Sequence, residues 1–352
     1  MGREVLKIVV MKHDCSAAVR QIGSAFEELI RILSMQIVLA PAAYTLPRGW
    51  ALRIANVLAL LLVILPMSGM HVYGQMRRVY GKSRLDSLHL TWGWLARPFR
   101  DFVVLKRLLY RRENPFNWRI IEKNADGINS LRESGASYIV ATGHFLREAV
   151  LSISSPNVTY GHNVELSLTP PKRIRCLYDL RMHIQFGTLL KAISSGCGRD
   201  SEFVFVGSNP LPFRTLYNRL RKPGNVVFID VDAPWRKSLA GSYKRPFAGH
   251  KSREFATGAA QLGRMARCPI ISCVYSLESD GAIVLEWGSP IRIACNDADS
   301  DVDVMNELID PLELAIGERP TQYVLRIGDG RRWNSRSRRW EELTDLLVWR
   351  PS

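Results

Sequence analysis

No two cysteines in this chain stand in a Cys-x-x-Cys pair, and none lies at zinc-site intervals from histidines. The six, at positions 15, 176, 197, 268, 273 and 295, thus indicate neither a metal ribbon nor a disulfide framework. Reduced thiols in a cytoplasmic protein are the expectation. The first fourteen residues lack the basic, then apolar, then small-residue order of a secretion signal. Gly2 is not followed by the Ser or Thr at position six that N-myristoylation requires. Internal repeats and low-complexity tracts are missing, and no Gly-x-Ser-x-Gly occurs, which removes the usual signature of a nucleophilic serine on a strand-to-helix elbow. The longest apolar stretch, Trp50 to Tyr73, has a charge-free centre from Ile54 to Met67. It reaches the roughly 20 residues of a bilayer span only by taking in Arg53 or the Pro66–His71 segment.

What is present points to a folded, basic protein. Of the 352 residues 47% are apolar and 23% charged, a balance that supports a real core and excludes a disordered chain. The formal net charge is +15 and the pI about 9.8, so an anionic partner is expected: nucleic acid, acidic lipid or acidic protein. The apolar piece Met35 to Leu46, broken by Pro41, precedes the Trp50–Tyr73 run. Together they read as an N-terminal hydrophobic membrane anchor, interfacial or re-entrant rather than a single clean span; a buried core helix is the bland alternative. Between Arg77 and Arg112 ten Lys or Arg face two acids, with Tyr80, Trp92, Trp94, Phe99, Phe102 and Tyr110 interleaved. Basic and aromatic residues beside an apolar run suit a membrane interface with its positive side toward the cytoplasm.

Four segments follow from this patterning: an N-terminal extension (1–34), an anchor with basic and aromatic interfacial helices (35–112), an α/β domain (113–330) and a basic C-terminal tail (331–352). In the α/β domain, strands are expected at 118–121, 137–142, 202–206, 225–230, 269–277 and 282–287. Helices are expected from Asn124, as N-cap, to Gly135, and over 181–195, 211–222 and 253–267. Another opens on the capping box Ser300–Asp303 and runs to Gly317. Strands alternating with crossover helices imply an α/β fold whose sheet is mostly parallel and flanked by helices. Arg331–Arg339 is strongly basic and reads either as a solvated tail or as a contact for phosphate or anionic lipid.

The residues best placed for chemistry lie in Ala141-Thr-Gly-His-Phe-Leu-Arg-Glu148. A buried strand ending at Gly143 sets His144 at the carboxyl edge of the sheet, where α/β ligand sites form. A helix opening there would bring Glu148, four residues on, to the same face. Such a carboxylate orients the imidazole as a general base. The acceptor hydroxyl is then itself the nucleophile, and no enzyme serine is needed.

From about residue 45 to 333 the chain resembles the bacterial lipid A biosynthesis acyltransferases, the late lauroyl/myristoyl transferases of the lysophospholipid acyltransferase superfamily. The resemblance is carried by four ordered segments. Gly135-Ala-Ser-Tyr-Ile-Val-Ala-Thr-Gly-His144-Phe matches the strand that leads into the catalytic histidine. Leu220–Asp230 matches the family's later strand ending in Asp. Arg245-Pro-Phe-Ala-Gly249 with Thr257–Leu262 and Cys268–Ile271 is similar to its "FFG … TG … LA … GAP" stretch. Arg319-Pro-Thr-Gln-Tyr323 is similar to its closing P-x-Q-Y. The resemblance implies a glycerolipid acyltransferase-like fold at the cytoplasmic face of a bacterial inner membrane. The implied donor is acyl carrier protein, the acceptor a hydroxyl of a lipid A-like membrane glycolipid, and no cofactor or metal takes part. It also assigns His144 as base, Glu148 as its partner, and Arg181, Arg214 and Asp230 to substrate binding.

Two departures stand out. The family spaces its pair His-x4-Asp/Glu, whereas His144 and Glu148 are His-x3-Glu. Where the family has an Arg on the strand after the catalytic helix, this chain has Asp179, with Arg181 the nearest substitute. A different glycolipid acceptor, or a membrane lipid-binding protein that keeps the fold without the chemistry, therefore stay open as alternatives. Nucleic-acid binding would explain the charge but has no motif behind it and does not account for the apolar 50–73 segment.

Overall fold

The computed structural model describes residues 23, 25–64, 68–110, 120–144, 158–163, 202–206, 210–232, 241–278, 282–293, 300–323 and 327–343. The chain divides into two compact units: Met1–Gly74, Ser87–Glu113 and Ser167–Ala192 form the first, and the remainder forms the second.

The first unit is helical among its described residues. A π-wound turn, Ser34–Leu39, runs into α1 (Ala40–Thr45), followed by α2 (Arg48–Ile64), the start of α3 (Ser68–Tyr80) and most of α4 (Arg84–Tyr110). Its core joins Met35, Leu39, Ala43, Leu95, Phe99 and Phe102 to an alanine stripe on α2. Ala51, Ala55 and Ala59 recur every four residues, one per turn, and are wholly buried. Arg107 of α4 donates to the carbonyls of Ala43 (3.3 Å) and Leu46 (2.7 Å), satisfying acceptors that the end of α1 leaves open. Among the described residues no helix is long and apolar enough to cross a membrane.

The second unit is built on a seven-stranded sheet with strands β1 (Ile120–Lys123), β2 (Tyr138–Thr142), β3 (Val158–Asn163), β4 (Glu202–Val206), β5 (Val226–Asp230), β8 (Ile270–Leu277) and β9 (Ile283–Trp287). Their order is β1-β9-β8-β2-β5-β3-β4. The five strands from β8 to β4 pair in parallel; β9 runs antiparallel to β8 and carries β1 parallel to itself. The fold class is therefore mixed α/β with a mostly parallel sheet. β2 is buried at all five positions and β5 at four of five, as expected of central strands covered on both faces. Helices α6 (Pro210–Leu220), α7 (Gly258–Ala266) and α8 (Ser300–Glu318) lie side by side, α7 against β2 and α8 against β8. α8 inserts Val304, Met305, Leu308, Ile309, Leu312 and Ile316 at helical spacing.

Three local expectations are corrected. The helix after β1, α5 (Asp126–Glu133), is capped at Ala125 without a side-chain bond, and Asn124 instead takes a left-handed turn (φ 55°), which asparagine tolerates. Residues 253–256 are not helical. They close an antiparallel hairpin of β6 (Ser242–Phe247) and β7 (His250–Ala256), in which Arg253 and Phe255 are buried and Glu254 between them is not. That period of two belongs to a strand. The hairpin turns through Ala248 (φ 44°) and Gly249 (φ 84°), the pair of positive φ values of a two-residue primed turn. Thirdly, part of the basic C-terminal segment forms a second hairpin, β10 (Arg331–Asn334) with β11 (Arg339–Glu342), burying Trp333 and Trp340.

Glu313 of α8 ties these hairpins down. Its carboxylate accepts from Arg245 Nη2 (3.0 Å), from the backbone of Ala248 (3.1 Å) and from Arg331 Nη1 (2.9 Å). Its carbonyl accepts from the Trp340 indole (3.1 Å). A nearly buried carboxylate held by two guanidinium groups and an amide is well satisfied.

Candidate active site

The adjacent central strands β2 and β5 run in parallel with Thr142 opposite Asp230. Their chains continue past the carboxyl edge as Gly143-His144 and Val231-Asp232. This edge is where α/β sheets collect ligand sites. The backbone N–H of Val231 donates to Thr142 O (2.9 Å), so the two exits stay joined for one more step.

Across this edge His144 meets an acid that local spacing does not point to. Asp232 grips His144 with both oxygens: Oδ1 lies 2.6 Å from Nδ1, and Oδ2 accepts the backbone N–H at 2.9 Å. Tyr275 of β8 donates its hydroxyl to Gly143 O (3.3 Å), fixing the peptide that carries the histidine. Asp232 has no solvent exposure, whereas the His144 side chain is 22% exposed. Burial alone would push the Asp232 carboxyl up. The charge and hydrogen bonds of His144, helped by the nearby Arg253 cation, outweigh that and hold it below its ordinary value. An ionised carboxylate only accepts, so the hydrogen resides on Nδ1 and a neutral imidazole keeps its lone pair on Nε2. On that side Asp230 Oδ2 stands 3.6 Å from Nε2, too far for a hydrogen bond but near enough to stabilise an imidazolium.

Behind the dyad lies a second layer. Arg253 Nη2 donates to the backbone carbonyl of Asp232 (2.7 Å). Its guanidinium rests 5.0 Å from the Phe247 ring centre and 5.6 Å from that of Phe255, within cation–π range. Tyr323, delivered by a 3₁₀ turn at Pro320–Gln322, is wholly buried beside Asp232 and Arg253. Burial, with the Asp232 charge next to it, pushes its hydroxyl well above the ordinary tyrosine range. Among the described residues no cluster of ligating side chains is arranged to hold a metal ion.

Of the residues singled out in the sequence, His144 and Asp230 are brought together. Arg214 is exposed on α6, and nothing among the described residues links it to His144. Glu148 and Arg181 lie outside the described residues. Asp232, Arg253 and Tyr275 were missed. For Asp232 a signal was available, since Asp230 and Asp232 are two apart in extended chain and so share a side. Neither Arg253, read as helical, nor Tyr275 in the middle of an apolar strand carried one. The chain matches no protein-family model and no curated protein sequence.

Proposed function

We propose that this protein is a membrane-associated O-acyltransferase that moves a fatty acyl chain from an acyl thioester to a hydroxyl of a lipid A-like glycolipid, with His144 as base and Asp232 as its orienter. The observation that carries this reading is the pairing of His144 with the buried Asp232 at the carboxyl edge of β2 and β5. Nε2 takes the proton of the acceptor hydroxyl, and the oxygen attacks the thioester carbon. The imidazolium so formed is flanked by Asp232 and Asp230, and it returns the proton to the departing thiolate. The four ordered sequence segments supply the substrate class, with acyl carrier protein as donor; the +15 charge suits both that acidic carrier and the phosphates of the acceptor.

Membrane association is supported by the way α2 is turned. Its fully buried positions are alanine but for Leu62, while Trp50, Val57, Leu60 and Leu61 stand out, 44–61% exposed. Large apolar groups outside and small ones inside reverse the order of a helix in water and match one that meets lipid. Arg53 over the Trp50 ring (5.0 Å) gives that face a basic, aromatic end.

The test is acyl transfer from labelled acyl carrier protein to a total lipid extract by wild type, His144→Ala and Asp232→Asn. A labelled glycolipid made by wild type is expected, with the rate lowered about 100-fold or more in each variant. Silence of folded wild type on every lipid sinks the reading and leaves the lipid-binding alternative in front.

A further inference from the structure

We propose that Arg253 is a positioning residue of this site, one that holds Asp232 in place through its backbone carbonyl and keeps a fixed positive charge behind the Asp232–His144 pair. Three observations carry it. Arg253 is nine-tenths buried and reaches the pair from another part of the chain, with Nη2 on Asp232 O at 2.7 Å. Its place is built by packing: Phe247 and Phe255 flank it, and the primed turn at Ala248-Gly249 is anchored by Glu313. Lastly, its charge lies beside the fully buried Asp232 carboxylate and helps to hold it ionised. A guanidinium kept only to join two strands would be cheaper at the surface. One held next to a buried carboxylate is retained for its charge.

The consequence concerns His144 as base, and here the inference rests on the reading above. The charged and titratable groups around the imidazole among the described residues are Asp230 and Asp232 at the end of β5, Arg253 of β7, Tyr275 of β8 and Tyr323 after the 3₁₀ turn. The carboxylates favour the imidazolium and Arg253 opposes it. Arg253 thus holds Asp232 ionised while keeping the imidazole ready to lose its proton again, and both are needed for a base that cycles.

The experiment follows the His144 ring by NMR in histidine-labelled full-length protein, with His144→Ala to assign the signal and Arg253→Gln and Arg253→Lys as variants. Glutamine keeps a donor for the Asp232 carbonyl and drops the charge; lysine keeps the charge. In Arg253→Gln the midpoint of the His144 titration is expected to rise by about half a unit or more, and in Arg253→Lys to stay near wild type. Should the acyl transfer be established, the acidic limb of kcat/KM will move upward with the glutamine variant and return with lysine. kcat will fall about tenfold while KM changes little. An unmoved midpoint in folded Arg253→Gln overturns the proposal, even if activity drops, since a purely structural role would produce that. If the glutamine variant does not fold, lysine decides: an unmoved midpoint supports the proposal and a shifted one overturns it. The titration needs no turnover, so it stands or falls apart from the acyltransferase reading.

Discussion

Asp232 is the residue on which the site turns, because burial and pairing act on it in opposite directions. Desolvation disfavours its charge, and the bonds from His144 more than restore it. The folded carboxyl therefore lies below its unfolded value, and the sign of the pH dependence follows. Its contribution to stability is present above the unfolded carboxylate range and is lost as pH falls through the folded value, in the window below about pH 4. Urea titrations from pH 7 to pH 2 should show Asp232→Asn less stable than wild type at neutrality, by about 3 kcal/mol. The gap should close as the medium is acidified below pH 4. A constant gap across that range would mean that the buried pair is not what holds this corner together.

Among the elements, the β6–β7 hairpin matters most, since it carries Arg253 to the dyad. Its turn admits few residues. A Cβ at Gly249 would come within 2.3 Å of the Gly328 carbonyl oxygen, on top of the left-handed φ of 84°. Gly330 and Arg331 also donate their backbone N–H groups to the Gly249 carbonyl at 2.9 Å, so the backbones cannot part without losing bonds. Gly249→Ala is expected to lower stability by about 2 kcal/mol or more, read as a shift of the urea midpoint. It should also move the His144 titration midpoint by loosening Arg253. A variant as stable as wild type would show that the turn is not strained by a side chain.

For the whole molecule the governing quantities are charge and the placing of apolar surface. A protein of net charge +15 with large apolar side chains turned outward on one helix should bind vesicles containing anionic lipid. Flotation with such vesicles should recover the wild type. The triple variant Trp50→Ser, Val57→Ser, Leu61→Ser, which leaves the alanine face untouched, should bind about tenfold less tightly or worse. Unchanged flotation would move the membrane contact elsewhere and leave the exposed face of α2 without a role.

The sequence alone was enough for the strands at 138–142, 202–206, 226–230, 270–277 and 283–287 and for the mostly parallel sheet they join. Short apolar runs bounded by Gly, Pro or polar residues report burial on both faces directly. It was also enough to put His144 at the carboxyl edge, because strand length and direction are local properties. The partner of that histidine among the described residues is not local. Helical spacing could offer only Glu148, which lies outside the described residues; Asp232 comes from 88 residues away and meets His144 because β2 and β5 pair in register. The same holds for Arg253, whose segment looks helical until β6 pairs with it. It holds too for α2, whose apolar residues do not mark one face in sequence, where packing set Ala51, Ala55, Ala59 and Leu62 inside and left Trp50, Val57, Leu60 and Leu61 out. Local pattern decides what each segment can become; which side chains then meet is decided by strand order and register, contacts that one-dimensional spacing does not contain.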